Sequence, residues 1–229
     1  YGTTGSNVSL TNLVNNSGVV AADVTGVGTA RSNLEAAGYG GDKAIFGYGN
    51  SGSASSLTNL VSNSGVVAAD VTGVGTARYT LGAADYGTDK AIFAFGTTGS
   101  VTNLSNLVSN SGVVAADVSG VGTARNYLAA ASYGGDKAIF GYGYAGGNVS
   151  MTNLVTNVGV VGTDVSGVGT ARNNLSATGY GGDKAIFSFA GSSNSSTNLV
   201  NSSGVVASDI TGVGTGREGA SAAGYSFSA

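Results

Sequence analysis

The chain contains no cysteine and no histidine, and only 9% of its 229 residues are charged. Without Cys there is no disulfide frame, no thiol nucleophile and no clue to redox compartment. Without His the commonest general base and metal ligand is missing, so neither a Ser-His nor a Cys-His catalytic arrangement can be assembled. Net charge is −3, and the basic residues are scattered with no run of Lys or Arg. That leaves no electrostatic footprint for nucleic acid or an anionic membrane. No apolar run approaches the ~18 residues of a spanning helix, so membrane insertion is not expected. The first residue is Tyr, not Met, and the chain reads as processed or cut from a longer one.

What is present is a repeat. The block GVVAADVTGVGTAR at Gly18 returns with small changes at Gly65, Gly112, Gly159 and Gly204, which places an arginine at Arg31, Arg78, Arg125, Arg172 and Arg217. Those arginines are 47, 47, 47 and 45 residues apart. A period of that size means stacked or radially arranged supersecondary units. Low charge alone would suggest disorder, but Val, Ile, Leu, Phe and Tyr recur at fixed places, which a disordered tract does not need.

Each repeat divides into four strand-like pieces. An Ala- and Gly-rich piece follows the Arg (32–39, 79–86, 126–133, 173–180 and 218–225). A Gly-Gly-Asp turn such as Gly40-Gly41-Asp42 leads to DKAIF, where Ala44, Phe46 and Tyr48 are expected on one face and Lys43 and Ile45 on the other. TNLV or SNLV forms the third piece and VVAADVTGV the fourth. Frequent Gly, Asn and β-branched residues argue against helix throughout. Four-stranded units at this period predict an all-β fold of propeller blades.

With GTARNNLSATGYGGDKAIFSF and the following TNLV turn in view, the chain resembles the kelch family of β-propellers over its whole length. The blades would span 32–78, 79–125, 126–172 and 173–217. A fifth, closing blade would join 218–229 to 1–31, so that the N- and C-terminal segments pair within one blade and seal a five-bladed ring as a single domain. The first strand, richest in small residues, is expected nearest the axis. The wording of the repeats is also similar to repeats in marine bacteriophage structural proteins, a resemblance that implies a virion or extracellular setting.

Nine of the twelve acidic residues recur once per repeat, whereas an active site is normally asymmetric, so no enzyme and no cofactor are expected. An Asp precedes each Arg by eight residues, from Asp23 and Arg31 to Asp209 and Arg217. Two readings stand: a structural charge pair tying one blade to the next, or a ring of five arginines holding an anion. One Asp per turn supplies too few ligands for a metal.

Differences between copies concentrate in the loops after the second strand and at the junctions after the Arg, which alternating strands place on one face. The candidate ligand-binding residues there are Ser32, Asn33, Tyr79, Thr80, Asn126, Tyr127, Tyr144, Asn173 and Asn174. Their hydroxyl, amide and aromatic groups suit a glycan or a protein surface. The expected function is a non-catalytic, lectin-like binding or adhesion module. The alternative is a structural or decoration protein that packs on copies of itself or on other virion proteins.

Overall fold

The structure, a computed structural model, describes residues 1–190 and 194–224, and every regular element in them is β. Two short strands, β1 (Gly2–Thr3) and β2 (Asn7–Val8), pair near the N-terminus. Four three-stranded antiparallel sheets follow. They are β3 (Glu35–Tyr39), β4 (Lys43–Gly47) and β5 (Thr58–Val61); β6 (Gly82–Tyr86), β7 (Lys90–Ala94) and β8 (Ser105–Val108); β9 (Ala129–Tyr133), β10 (Lys137–Gly141) and β11 (Thr152–Val155); and β12 (Ser176–Tyr180), β13 (Lys184–Ala190) and β14 (Asn194–Val200). In each, the second strand is central, with the first and third on its flanks.

The first hairpin of each unit is set by its turn. Gly40 and Gly41 have φ of 63° and 80°, the left-handed pair that matches strand twist in a two-residue connection. Tyr39 then sits opposite Lys43 and Ala37 opposite Ile45. Thr88 takes the second position in the next copy at φ 71°, a conformation costly for a β-branched residue.

The sheets have three strands each, not the four expected. The fourth piece makes only two isolated bridges per unit, such as Val61 to Val67 and Thr58 to Val71. The pairing slips by one residue between them, so an extra residue interrupts the ladder. The Asn of the third strand replaces part of it. Asn59 Nδ2 donates to the Ala68 carbonyl at 3.1 Å, as do Asn106, Asn153 and Asn198 to their counterparts. The N-terminal residues follow the same plan, with Thr11 bridged to Val24, Val14 bridged to Val20, and Asn12 Nδ2 donating to the Ala21 carbonyl.

The cores lie between successive sheets. Ala91 and Phe93 on one face of β7 pack with Ile45, Tyr48 and Leu81, whereas Ile92 and Ala94 on the other face pack with Leu128, Ala138 and Phe140. This two-sided burial explains why 91–94 are all buried despite strict alternation. Each buried Phe or Ile contributes roughly 1.5–3 kcal/mol. Tyr48 does not share the face of Phe46 as expected. Its φ of 63° turns the chain out of β4, and its ring joins Ile45 and meets Phe93 edge-on at 5.1 Å. Phe95 with Phe140 and Tyr142 with Phe187 repeat the contact, and Tyr1 stands at 5.2 Å from Phe46.

First strands neighbour one another in sequence, β3 with β6, β6 with β9 and β9 with β12. Residues after Arg217 continue the series: Gly219 N donates to the Asn174 carbonyl and Ser176 Oγ to the Ala220 carbonyl. The last residue of the expected first strand of the closing blade, 225, and its expected turn and second strand, 226–229, lie outside the described residues, as do 191–193.

Candidate functional site

Four of the five arginines occupy closely similar buried sites. Arg125 Nε donates to the Tyr142 carbonyl, Nη1 to the Thr123 carbonyl and Nη2 to Asn153 Oδ1 at 2.6 Å, with Asp164 at 3.9 Å. Its guanidinium lies 4.1 Å from the centroid of the Phe95 ring, in the same span 79–125. Arg31, Arg78 and Arg172 repeat the stacking on Tyr1, Tyr48 and Tyr142. The arginine therefore touches two successive spans: an aromatic face in its own and polar groups in the next. Its carboxylate partner is the Asp of the following repeat, Asp70 for Arg31, and not Asp23 eight residues before it.

Partial burial of Asp70, Asp117, Asp164 and Asp209 works against their charge. Hydrogen bonds from Thr and Asn and the nearby Arg outweigh it and hold all four below the usual carboxylate range. Burial lowers Arg125 to about 10. A glycine is required here: a Cβ on Gly122, at φ 87°, would lie 2.5 Å from Asp164 Oδ1. Most of their hydrogen-bonding atoms are engaged by neighbouring protein groups, so the buried guanidinium groups form structural joints, but Arg78 Nε and Arg172 Nε have no partner among the described residues. The set is incomplete at the ends of the chain. Arg217 is exposed and packs on the Phe189 ring at 3.8 Å, while Asn12 and Asp23 bond each other at 2.8 Å.

The variable junction residues divide into two groups. Asn33, Thr80, Tyr127 and Asn174, joined by Gly219, line one cavity of about 220 Å³. A chain of backbone hydrogen bonds steps between them: Thr80 N to the Asn33 carbonyl, Tyr127 N to Thr80 and Asn174 N to Tyr127, each 3.0 Å. All four are left-handed, with φ of 51–52°. That conformation turns the chain from the preceding junction into the first strand at the same point in every unit.

The residues one position earlier face the loops instead. Ser32 bridges to Asn50, Tyr79 to Thr97 and Asn126 to Tyr144, which brings junction and loop together as expected. Tyr127 and Tyr144 are exposed, whereas Thr80 and Asn126 are buried. Asn126 Oδ1 has no partner among the described residues. Asn173 lines a separate recess with Arg172 and Asp209.

Behind the mouth lies a second cavity of about 280 Å³, lined by residues from all five first-strand segments, from Glu35 and Gly82 to Ala129, Ser176 and Ser221. Consecutive residues such as Leu128–Ala130 line it, which is how a strand edge and not a strand face meets a space. Glu35 also lines the mouth, so the two cavities share a wall. The equivalents of Glu35 are Gly82, Ala129, Ser176 and Ser221, and this one carboxylate breaks the pattern of small residues. It has no hydrogen bond or ion pair among the described residues, and burial pushes its pKa up to about 8.

Sequence reasoning passed over Glu35 because it weighed the nine recurring acids and not the odd one out. The signal was available, since Glu35 is one of only two glutamates in the chain. Among the described residues no group of His, Cys, Asp or Glu is arranged to hold a metal ion, and no helix is long and apolar enough to cross a membrane.

The geometry defines an all-β protein of repeated antiparallel sheets, with an asymmetric set of polar residues collected at one cavity mouth. No protein-family model and no curated protein matches the chain.

Proposed function

We propose that the chain is a five-bladed β-propeller whose N- and C-terminal segments share one blade, and that its variable rim is a non-catalytic recognition surface for a glycan or a protein. The observation that carries the second part is the convergence of Asn33, Thr80, Tyr127 and Asn174 on one opening, each with a different side chain on the same backbone. Exposed Tyr127 and Tyr144 add rings that stack on sugar faces, and the amides supply hydrogen bonds. Loops and junctions on a rigid scaffold are where recognition is commonly placed. A virion-associated or secreted module fits this reading.

Ring closure is supported by two features. All five first-strand segments line one cavity, and Arg217 at one end matches Asn12 and Asp23 at the other as the parts of a fifth joint. Since the chain has no Cys, single cysteines at positions 12 and 217 and a short bismaleimide test it directly. Efficient intramolecular cross-linking is expected, and purely intermolecular products would refute closure.

The test of recognition is a glycan array and a surface-protein pull-down with the intact chain, repeated with Tyr127→Ala and Tyr144→Ala. Loss of a captured ligand in the variants, with unchanged melting, supports the reading. A second reading rests on a different observation. Val19, Val66, Val113, Val160 and Val205, one per unit, are each 59–65% exposed, a repeated apolar feature that suits packing against copies or a larger particle. No ligand together with a regular lattice or filament would favour that structural role.

A further inference from the structure

We propose that the cavity behind the rim binds a small organic ammonium ion, its charged head against Glu35 and its hydrocarbon part against Leu128, Leu175 and Ala129. The proposal stands apart from glycan or protein recognition at the rim, since it rests on the interior alone. At about 280 Å³ the space falls at the lower end of the ~300–1,000 Å³ of small-molecule pockets, which suits a fragment-sized guest. Among the described residues its only ionisable lining residue is Glu35, and Tyr127 at the mouth is the only other titratable side chain around the two cavities.

The ligand class follows from what the walls offer. A divalent metal needs several oxygen ligands, and one carboxylate among Ala, Gly, Leu and Ser does not supply them. A primary ammonium needs less: one carboxylate and one or two neutral acceptors for its three N–H donors. The hydroxyls of Ser176 and Ser221 line the same space and are neutral acceptors for such a head. A phosphate, sulfate or carboxylate guest is disfavoured, because among the described residues no Lys or Arg lines the space.

Glu35 is partly buried at the start of β3 and lines both cavities. A carboxyl group so placed is held protonated near neutral pH by loss of hydration. An ammonium ion restores the missing counter-charge, so binding is coupled to release of the Glu35 proton and strengthens as pH rises toward 8. Among the described residues no other charged side chain lines the cavity.

The test uses the intact chain labelled at the glutamate carboxyl carbon. With two glutamates there are two signals, and exposed Glu218 is the internal reference. Ethylammonium at about tenfold its dissociation constant is expected to lower the Glu35 midpoint by about one pH unit and leave Glu218 unmoved. Glu35→Gln is expected to abolish calorimetric binding, and Ala129→Leu, which fills the space, to abolish it while Glu35 still titrates. A midpoint unmoved by ethylammonium overturns the proposal. So does an equal shift with potassium chloride, which would be simple ionic screening, or binding that survives in Glu35→Gln.

Discussion

Replacing Glu35 by Gln is expected to make the stability of this protein nearly independent of pH between about 5 and 8. Burial raises the carboxyl from its ordinary 4.5 to about 8. Between those values the folded chain holds a proton that the unfolded chain has released. The stabilisation is therefore complete below about pH 4.5, declines as pH rises, and is gone above the folded value. A shift of that size corresponds to roughly 5 kcal/mol at about 1.4 kcal/mol per unit, an upper bound that water in the cavity reduces. Of this, a loss of about 2–3.5 kcal/mol is expected from pH 5 to 8, a large share of the 5–15 kcal/mol typical of a folded domain.

Little else interferes. The chain has no His or Cys, the joint aspartates titrate below the window, and Arg125 and the buried Tyr48 and Tyr142 titrate at about 10 and 12. The α-amino group of Tyr1 is the exception. Burial and then Arg31 lower its pKa, so it gives a slope of opposite sign, and an N-acetylated chain removes it. The assay is urea unfolding at unit steps of pH. A wild-type midpoint that does not move from pH 5 to 8, or a Gln variant with the same slope as wild type, refutes the reasoning.

Four further outcomes are expected. Arg125→Lys keeps the charge but loses the planar fork that reaches Asn153, Thr123 and Tyr142, and calorimetric melting should show a cost of at least about 2 kcal/mol. Gly122→Ala places a methyl against Asp164 and Asn153 in a left-handed backbone, so chemical unfolding should show a loss of about 2–4 kcal/mol. Thr88→Gly relieves a strained turn position and should raise stability by about 1 kcal/mol in the same assay. Phe140→Ala, removing a fully buried ring between two sheets, should cost about 3–5 kcal/mol, read from the urea midpoint.

The repeat, its period and the order of strands were legible because they depend on local chemistry. Gly-Gly turns and the β-branched and aromatic residues of KAIF specify a hairpin wherever they occur. The fourth piece was read as a strand because Val-rich composition carries no information about register. Whether its ladder continues depends on a one-residue slip and on the Asn side chain of the strand beside it. The grouping of Asn33, Thr80, Tyr127 and Asn174 was half legible: their variability was visible, their convergence was not.

By itself, then, the sequence determined an all-β repeat protein without His or Cys chemistry, since composition and spacing act over a few residues. Only the tertiary structure decided which Asp each Arg meets. Arg31 reaches Asp70 through a fold that brings residues 39 apart together, while Asp23, eight residues away in the same repeat, bonds Asn12 instead. It also decided the surroundings of Glu35. One carboxylate among small residues is unremarkable along a chain, and it becomes a raised-pKa group in a cavity only when five segments meet around it.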